Sequence, residues 1–344
     1  DQCMADSKKA GDLPQELACA MLSAGNQLLA DHPAEWARRV SAIRNHFYPL
    51  LRRSQGDGFA LKQLEQVDDY SRAARMQDKI AISGNTGGSF ALGIHKLRQD
   101  KYNPIASKDP MAVDIQAGNV RLDAIVDTAG TMLLLNAPTA TALGVAGTSP
   151  WIPAGQRPSP LGTLPALKVG PVALTHVPAA ITDTPVPNVI GLTTLRRLGR
   201  VLFSSAQIVI GSELADHCTP APLAIRSDLV GTNPKVMLPL KIDDKAVLAV
   251  LDTGYGGALS QVGTDNPSEL NGPMEEHMVF TVRGAQAERT VSHTRSVQFG
   301  GDTKDIKVSL TPAPRGVFYF AGLQLLDRSA VHIDFDKHTM CVGH

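Results

Sequence analysis

The chain repeats itself, and the repeat restricts its fold more than any other feature. "MAVDIQAGNVRLDAIVDT" (111–128) and "VMLPLKIDDKAVLAVLDT" (236–253) share one plan: apolar strand, short polar turn, apolar strand, Asp-Thr. Downstream, "ALKVGPVALTHVPAAITDTPVPNVIGLTTL" parallels "RSVQFGGDTKDIKVSLTPAPRGVFYFAGLQLL". Each reads as a hairpin, a proline-rich connection and an apolar-Gly-Leu segment that opens a short helix. The endings "GRVLFSSAQIVIG" and "SAVHIDFDKHTMCVG" also agree. Asp127 precedes Gly191 by 64 residues, and Asp252 precedes Gly322 by 70. One duplicated β-unit of about 115–120 residues accounts for the whole pattern.

The region before the repeat has a different period. In "PAEWARRVSAIRNHFYPLL", Trp36, Val40, Ile43, Phe47 and Leu50 are spaced four, three, four and three, one apolar helix face. A helix over roughly 14–30 uses Leu17, Met21 and Leu28, and another over roughly 59–80 uses Leu61, Leu64 and Val67. The glycine-rich "SGNTGGSFALG" (83–93) reads as a linker or boundary. The expected division is a helical domain with its linker at 1–95, a first β-lobe at 96–212 and a second at 213–344.

With 43% hydrophobic and 19% charged residues, the 344-residue chain is expected to fold rather than stay disordered. Zero formal net charge gives no electrostatic case for nucleic acid or an anionic membrane surface. No apolar run approaches the roughly 20 residues that span a bilayer. The start at Asp1 fits a mature exported protein, periplasmic or secreted, whose signal peptide has been removed. The cysteines Cys3, Cys19, Cys218 and Cys341 match no metal spacing and allow three pairings. Cys3–Cys19 and Cys218–Cys341 are the favoured disulfides, the second tying an interdomain segment to the C-terminal strand, as suits an oxidising compartment. Four buried thiols are the alternative.

A single Asp-Thr-small triplet carries little information. Two, each ending an apolar strand and each followed by an apolar-Gly-Leu segment, carry much more. On these residues the chain resembles the retropepsin-like aspartic proteases over roughly 110–212 and 233–344. The resemblance implies a mainly β fold: two tandem retropepsin-like β-barrel lobes related by pseudo-twofold symmetry, in the bilobal pepsin-like arrangement; it does not cover the N-terminal α-helical domain, which rests on the helical period alone. It implies a monomer with an internal pseudo-dimer, a peptide or protein substrate, and no cofactor or metal.

By the same resemblance Asp127 and Asp252 form a catalytic dyad. Two close carboxylates resist joint ionisation, so one keeps a proton while the other stays charged; aspartic-protease dyads are the standard example. The charged member deprotonates a water that attacks a peptide carbonyl, and the protonated member donates to the carbonyl oxygen. Thr128 and Thr253 match positions that brace the two loops, and Gly254 matches the small position near dyad and substrate. The first copy reads "DTA", so Ala129 stands where the family has glycine; at negative φ alanine fits there without strain. Gly130 and Tyr255 replace the usual Ala or Ser, and Tyr255 is placed to narrow the site. A flap is expected in "GTSPWIPAGQR" (147–157), with Trp151 as apolar contact and Gly155 as flexible point. "NGPMEEHMVFTVRG" in the second copy shows no evident counterpart.

The rival reading is a non-catalytic peptide- or protein-binding module in a degenerate cleft; a third is an assembly factor acting through its helices. "EEHM" is not HExxH, and His332, His338 and His344 have no ligand spacing. No GxSxG elbow, Walker loop or GxGxxG is present. "RRLGR" (196–200) reads as the exposed end of a short helix.

Overall fold

In the computed structural model, residues 2–56, 67–84, 88–96, 111–151, 159–183, 186–213, 218–281, 284–313, 316–327 and 329–343 are described. The helices come first: α1 (Gln2–Ala10), α2 (Leu13–Leu29), α3 (Pro33–Gln55) and α4 (Val67–Gln77). Asp12 caps α2 by accepting from the Gln15 amide, and α2 and α3 each carry proline in the first turn, where its missing N–H goes unused. Trp36, Val40, Ile43 and Phe47 are buried as the spacing predicts, but Leu51 rather than Leu50 completes the face. Helix α1 has no apolar period of its own; the Cys3–Cys19 disulfide fastens it to α2. Leu61 and Leu64 lie outside the described residues.

The glycine-rich stretch holds strands as well as a boundary: β1 (Ala81–Gly84) and β2 (Phe90–Gly93), with β3 (His95–Lys96) after them. Gly84 has φ +97°, and a Cβ there would stand 2.3 Å from the Pro171 carbonyl oxygen, so glycine allows this edge to pair. The first repeat supplies β4 (Met111–Ala117), β5 (Val120–Val126), β6 (Leu133–Asn136), α5 (Ala137–Ala142), β7 (Ser149–Trp151), β8 (Ser159–Val169), β9 (Val172–Thr182), β10 (Asn188–Ile190), α6 (Leu192–Arg196), β11 (Arg200–Phe203) and β12 (Gln207–Ile210). A connector carries β13 (Ala221–Pro222) and β14 (Ile225–Arg226). The second repeat supplies β15 (Lys235–Ile242), β16 (Lys245–Leu251), β17 (Leu259–Val262), β18 (Met274–Thr281), β19 (Gly284–Phe299), β20 (Asp302–Thr311), β21 (Phe318–Ala321), β22 (Ala330–Asp334) and β23 (Thr339–Gly343).

Each repeat closes on itself. In the first, the order β9-β6-β10-β5-β4-β8 returns to β9. In the second, β20-β17-β21-β16-β15-β19 returns to β20. The parallel pairs correspond: β5 with β10 and β6 with β9 in one, β16 with β21 and β17 with β20 in the other. Closure removes the open edges of each sheet and leaves a small interior that side chains fill. Leu133, Leu135, Leu167 and Ile190 line the first core, and Leu238, Leu251, Leu259 and Leu310 are equally inaccessible in the second.

The last two strands of each repeat leave the barrels and meet. β11 pairs antiparallel with β22, with Val201 opposite Ile333 and Phe203 opposite Val331, the reciprocal register that a twofold relation requires. β12 and β2 extend this sheet on one side, β23 and β13 on the other. The Cys218–Cys341 disulfide fastens the connector to β23. The fold is therefore mainly β, with two barrels and an N-terminal helical region.

The helices dock on the first barrel. Trp36, Val40, Phe47 and Met21 share one buried cluster with Met132, Leu134, Leu161 and Ala180. The basic segment after β10 is part of this joint rather than a free surface. Arg196 donates to the Leu28 and Leu29 carbonyls at the end of α2, and Arg197 pairs with Asp31 at 2.6 Å. These cations meet the negative end of a helix dipole. No helix among the described residues is long and apolar enough to cross a membrane.

Candidate active site

Both Asp-Thr triplets sit where a barrel strand ends beside its parallel neighbour. β5 delivers Asp127, whose amide donates to Ile190; β16 delivers Asp252, whose amide donates to Ala321 at 2.8 Å. The following glycines permit this. A Cβ on Gly191 would lie 2.5 Å from Met132 backbone atoms, and one on Gly322 would lie 2.3 Å from the Tyr255 and Gly257 carbonyl oxygens. The apolar-Gly-Leu segments therefore nest against the aspartate loops. Leu192 donates to Gly130, and Leu323 to Tyr255, in matching positions.

Thr128 and Thr253 join the loops across the axis. The Thr128 amide donates to Thr253 Oγ1 at 3.0 Å, and the Thr253 amide to Thr128 Oγ1 at 3.2 Å. Each hydroxyl then donates to backbone of the opposite barrel, Thr128 to Leu251 and Thr253 to Val126, both at 2.6 Å. Both threonines are almost wholly buried. The loops are thus held to each other before any ligand arrives.

The Asp127 carboxyl lies against the second loop beside Asp252, where a Cβ on Gly254 would be 2.9 Å from its Cγ, and the two acids are close enough to influence each other's ionisation. Each retains partial exposure. Poor solvation pushes both upward as acids, and the neighbouring charge of Asp127 helps to push Asp252 to about 8. Asp127 has the stronger support for charge: the Ala129 amide donates to its Oδ1 at 2.7 Å. The Gly130 and Tyr255 amides donate to the main-chain carbonyls of Asp127 and Asp252, at 3.2 Å and 3.1 Å, and close the two turns alike. Two carboxyl groups in this state can accept a proton at one oxygen and donate one at another.

Gly254 lies directly against the pair. A Cβ there would be 2.9 Å from Asp127 Cγ. Ala129 is not among the positive-φ residues, so its methyl group sits on ordinary backbone without strain. The Tyr255 ring covers Gly257 and reaches Gly322, and its hydroxyl bonds to Ser309 on β20. The ring is anchored on its own barrel.

Both barrels carry a hairpin at matching places. β7 pairs with the start of β8, Trp151 opposite Ser159. Gly155 lies outside the described residues, and the structure describes the Trp151 backbone alone. The second hairpin departs from the sequence expectation: β18 pairs with β19 over Met274–Thr281, more residues than in the first.

Lys235 belongs to the same site and escaped sequence reasoning. It opens β15, and its ammonium donates to the Ala129 carbonyl. Burial pulls its pKa down, opposed by the attraction of Asp127, Asp252 and Asp228. The available signal was an asymmetry between the repeats in sequence: when Asp127 is aligned with Asp252, Lys235 corresponds to Pro110.

Residues 112–194 match the family described as "Aspartyl protease". The structure of an aspartic proteinase from Irpex lacteus is similar at 10% identity and a TM-score of 0.47, covering 74% of this chain and 97% of that one. No curated protein matches by sequence. The family match lies on the first barrel and the short helix after it.

Proposed function

We propose that the chain is an aspartic endopeptidase that hydrolyses peptide bonds with a water activated by Asp127 and Asp252. The observation that carries the reading is the cross-brace between the two Asp-Thr loops, Thr128 to Thr253 and back, which sets the Asp127 carboxyl against the second loop. A water between them gives its proton to Asp127, the member best supplied with donors. Its oxygen attacks the peptide carbonyl. Asp252 donates its proton to the carbonyl oxygen as that atom becomes tetrahedral. On collapse the C–N bond breaks, Asp127 gives the proton it took from water to the departing amine, and a hydroxyl of the tetrahedral carbon returns a proton to Asp252. The paired hairpins cover the bound peptide, and Tyr255 borders its path. The two disulfides fit function in an exported compartment.

The test is digestion of a peptide library across pH, with an aspartic-protease inhibitor and the variants Asp127→Asn and Asp252→Asn as controls. Each variant is expected to keep its fold and to lose cleavage by about 10²–10⁴-fold. Full cleavage by either variant would refute the dyad. Peptide binding without cleavage by the unaltered chain would favour the binding-module reading.

A further inference from the structure

Two aspartates on a pseudo-twofold axis start out equivalent, yet the proposed reaction needs one charged and one protonated. Something must break the symmetry. The loops themselves match closely; the residue beside them does not. Lys235 comes from the second repeat, and the residue that corresponds to it in the sequence of the first repeat is Pro110, which carries no charge.

We propose that Lys235 is a positioning residue that settles which carboxylate carries the charge, holding it on Asp127 and leaving the proton on Asp252. The inference deepens the peptidase reading and rests on it. Lys235 and Asp127 meet on one short loop. The ammonium binds the Ala129 carbonyl, and the N–H of the same residue donates to Asp127 Oδ1 at 2.7 Å. The Gly130 N–H donates to the Asp127 main-chain carbonyl at 3.2 Å and closes the turn. The ammonium therefore favours negative charge on Asp127 through space, and it fixes the loop that carries the carboxylate's donor. Its attraction to Asp127 exceeds that to Asp252.

The lysine is held where it can do this. Asp228 turns the preceding loop by accepting from the Thr232 amide and hydroxyl. Thr131, in the first aspartate loop, donates to Asn233 at 3.4 Å. The Trp36 indole donates to the Val230 carbonyl at 2.6 Å, and Gly25 of α2 meets the backbone of 229–231. The helical region thus buttresses the segment that presents Lys235. The other ionisable groups facing this set are Asp228 on the lysine side, Tyr255 beside Asp252, and Glu288 beyond Tyr255.

The test needs no substrate. The full chain is labelled with ¹³C at aspartate carboxyls, and the Asp127 and Asp252 resonances are assigned with the two Asn variants. Their titrations are compared in the unaltered chain, Lys235→Gln and Lys235→Arg. Glutamine keeps a donor for the Ala129 carbonyl but removes the charge; arginine keeps the charge. The first protonation of the pair is expected to move to higher pH by about one pH unit or more in Lys235→Gln, and to stay near its original place in Lys235→Arg. Unchanged titration in Lys235→Gln would overturn the proposal, as would an equal shift in Lys235→Arg. Peptide cleavage measured alongside separates the two claims. A shifted titration in a chain that cuts nothing removes the peptidase reading and keeps Lys235's role. Cleavage with an unshifted titration does the reverse.

Discussion

Thr128 and Thr253 exchange hydrogen bonds across the axis, each amide donating to the other's hydroxyl and each hydroxyl donating to the opposite barrel. The two barrels are therefore joined at their most buried point by four bonds from two side chains. Thr128→Val keeps the shape but strands the Leu251 carbonyl and the Thr253 amide. A loss of about 1–3 kcal/mol per stranded group is expected in urea unfolding. The double variant with Thr253→Val should cost less than the sum, because the two residues share one network.

The pH dependence has a definite sign. Cleavage by the proposed mechanism needs Asp127 charged and Asp252 protonated. Both acids lie above the ordinary 3.8, Asp252 at about 8. A bell-shaped kcat/KM profile is expected, with its acid limb above 3.8 and its alkaline limb near 8. Stability follows the same proton. Asp252 binds it more tightly when folded, so its contribution is fully present below 3.8 and is lost as pH rises through about 8. Urea midpoints should fall across that window more in the unaltered chain than in Asp252→Asn.

The two small residues after the threonines differ in what they tolerate. Gly254→Ala puts a Cβ 2.9 Å from Asp127 Cγ and forces the carboxyl group to move. Cleavage should fall about tenfold or more, since displacements of this kind disturb the reacting geometry. Ala129→Gly should leave cleavage in place and lower stability by about 0.4–1 kcal/mol, through the freer unfolded chain. Kinetics and thermal unfolding of the pair of variants check both halves.

Trp36 tests the joint between the helices and the barrels. It is 1% exposed and reaches Val230 with its indole N–H. Trp36→Ala should destabilise by about 3–5 kcal/mol. Trp36→Phe keeps most of the apolar contact and strands the Val230 carbonyl, costing about 1–3 kcal/mol. Amide exchange over 228–235 should accelerate in both.

What could be read from the residues was whatever lies in short-range pattern. The apolar runs ending in Asp-Thr, the apolar-Gly-Leu segments and the face of α3 are local, and they appear where their periods place them. Both favoured cysteine pairings are also formed. Three features depended on distant partners. β1 and β2 lie in a glycine-rich stretch with few strand-forming residues and exist because β9 and β12 offer edges. The β18 hairpin carries charged residues, "EEH" among them, that hide its strand alternation, so the stretch showed no evident flap counterpart. Lys235 looked like an ordinary strand-opening lysine, because nothing within its own segment tells that Ala129 lies opposite.

The sheet shared by β11 and β22 has a mechanical consequence. A cleft between two bodies usually admits its ligand by hinge rotation. Here rotation would tear a continuous antiparallel ladder and strain a connector stapled by Cys218–Cys341. The two barrels are accordingly held in one mutual arrangement at that ladder, and under the proposed peptidase reading admission of a polypeptide would fall to the β7–β8 and β18–β19 hairpins rather than to a hinge between halves.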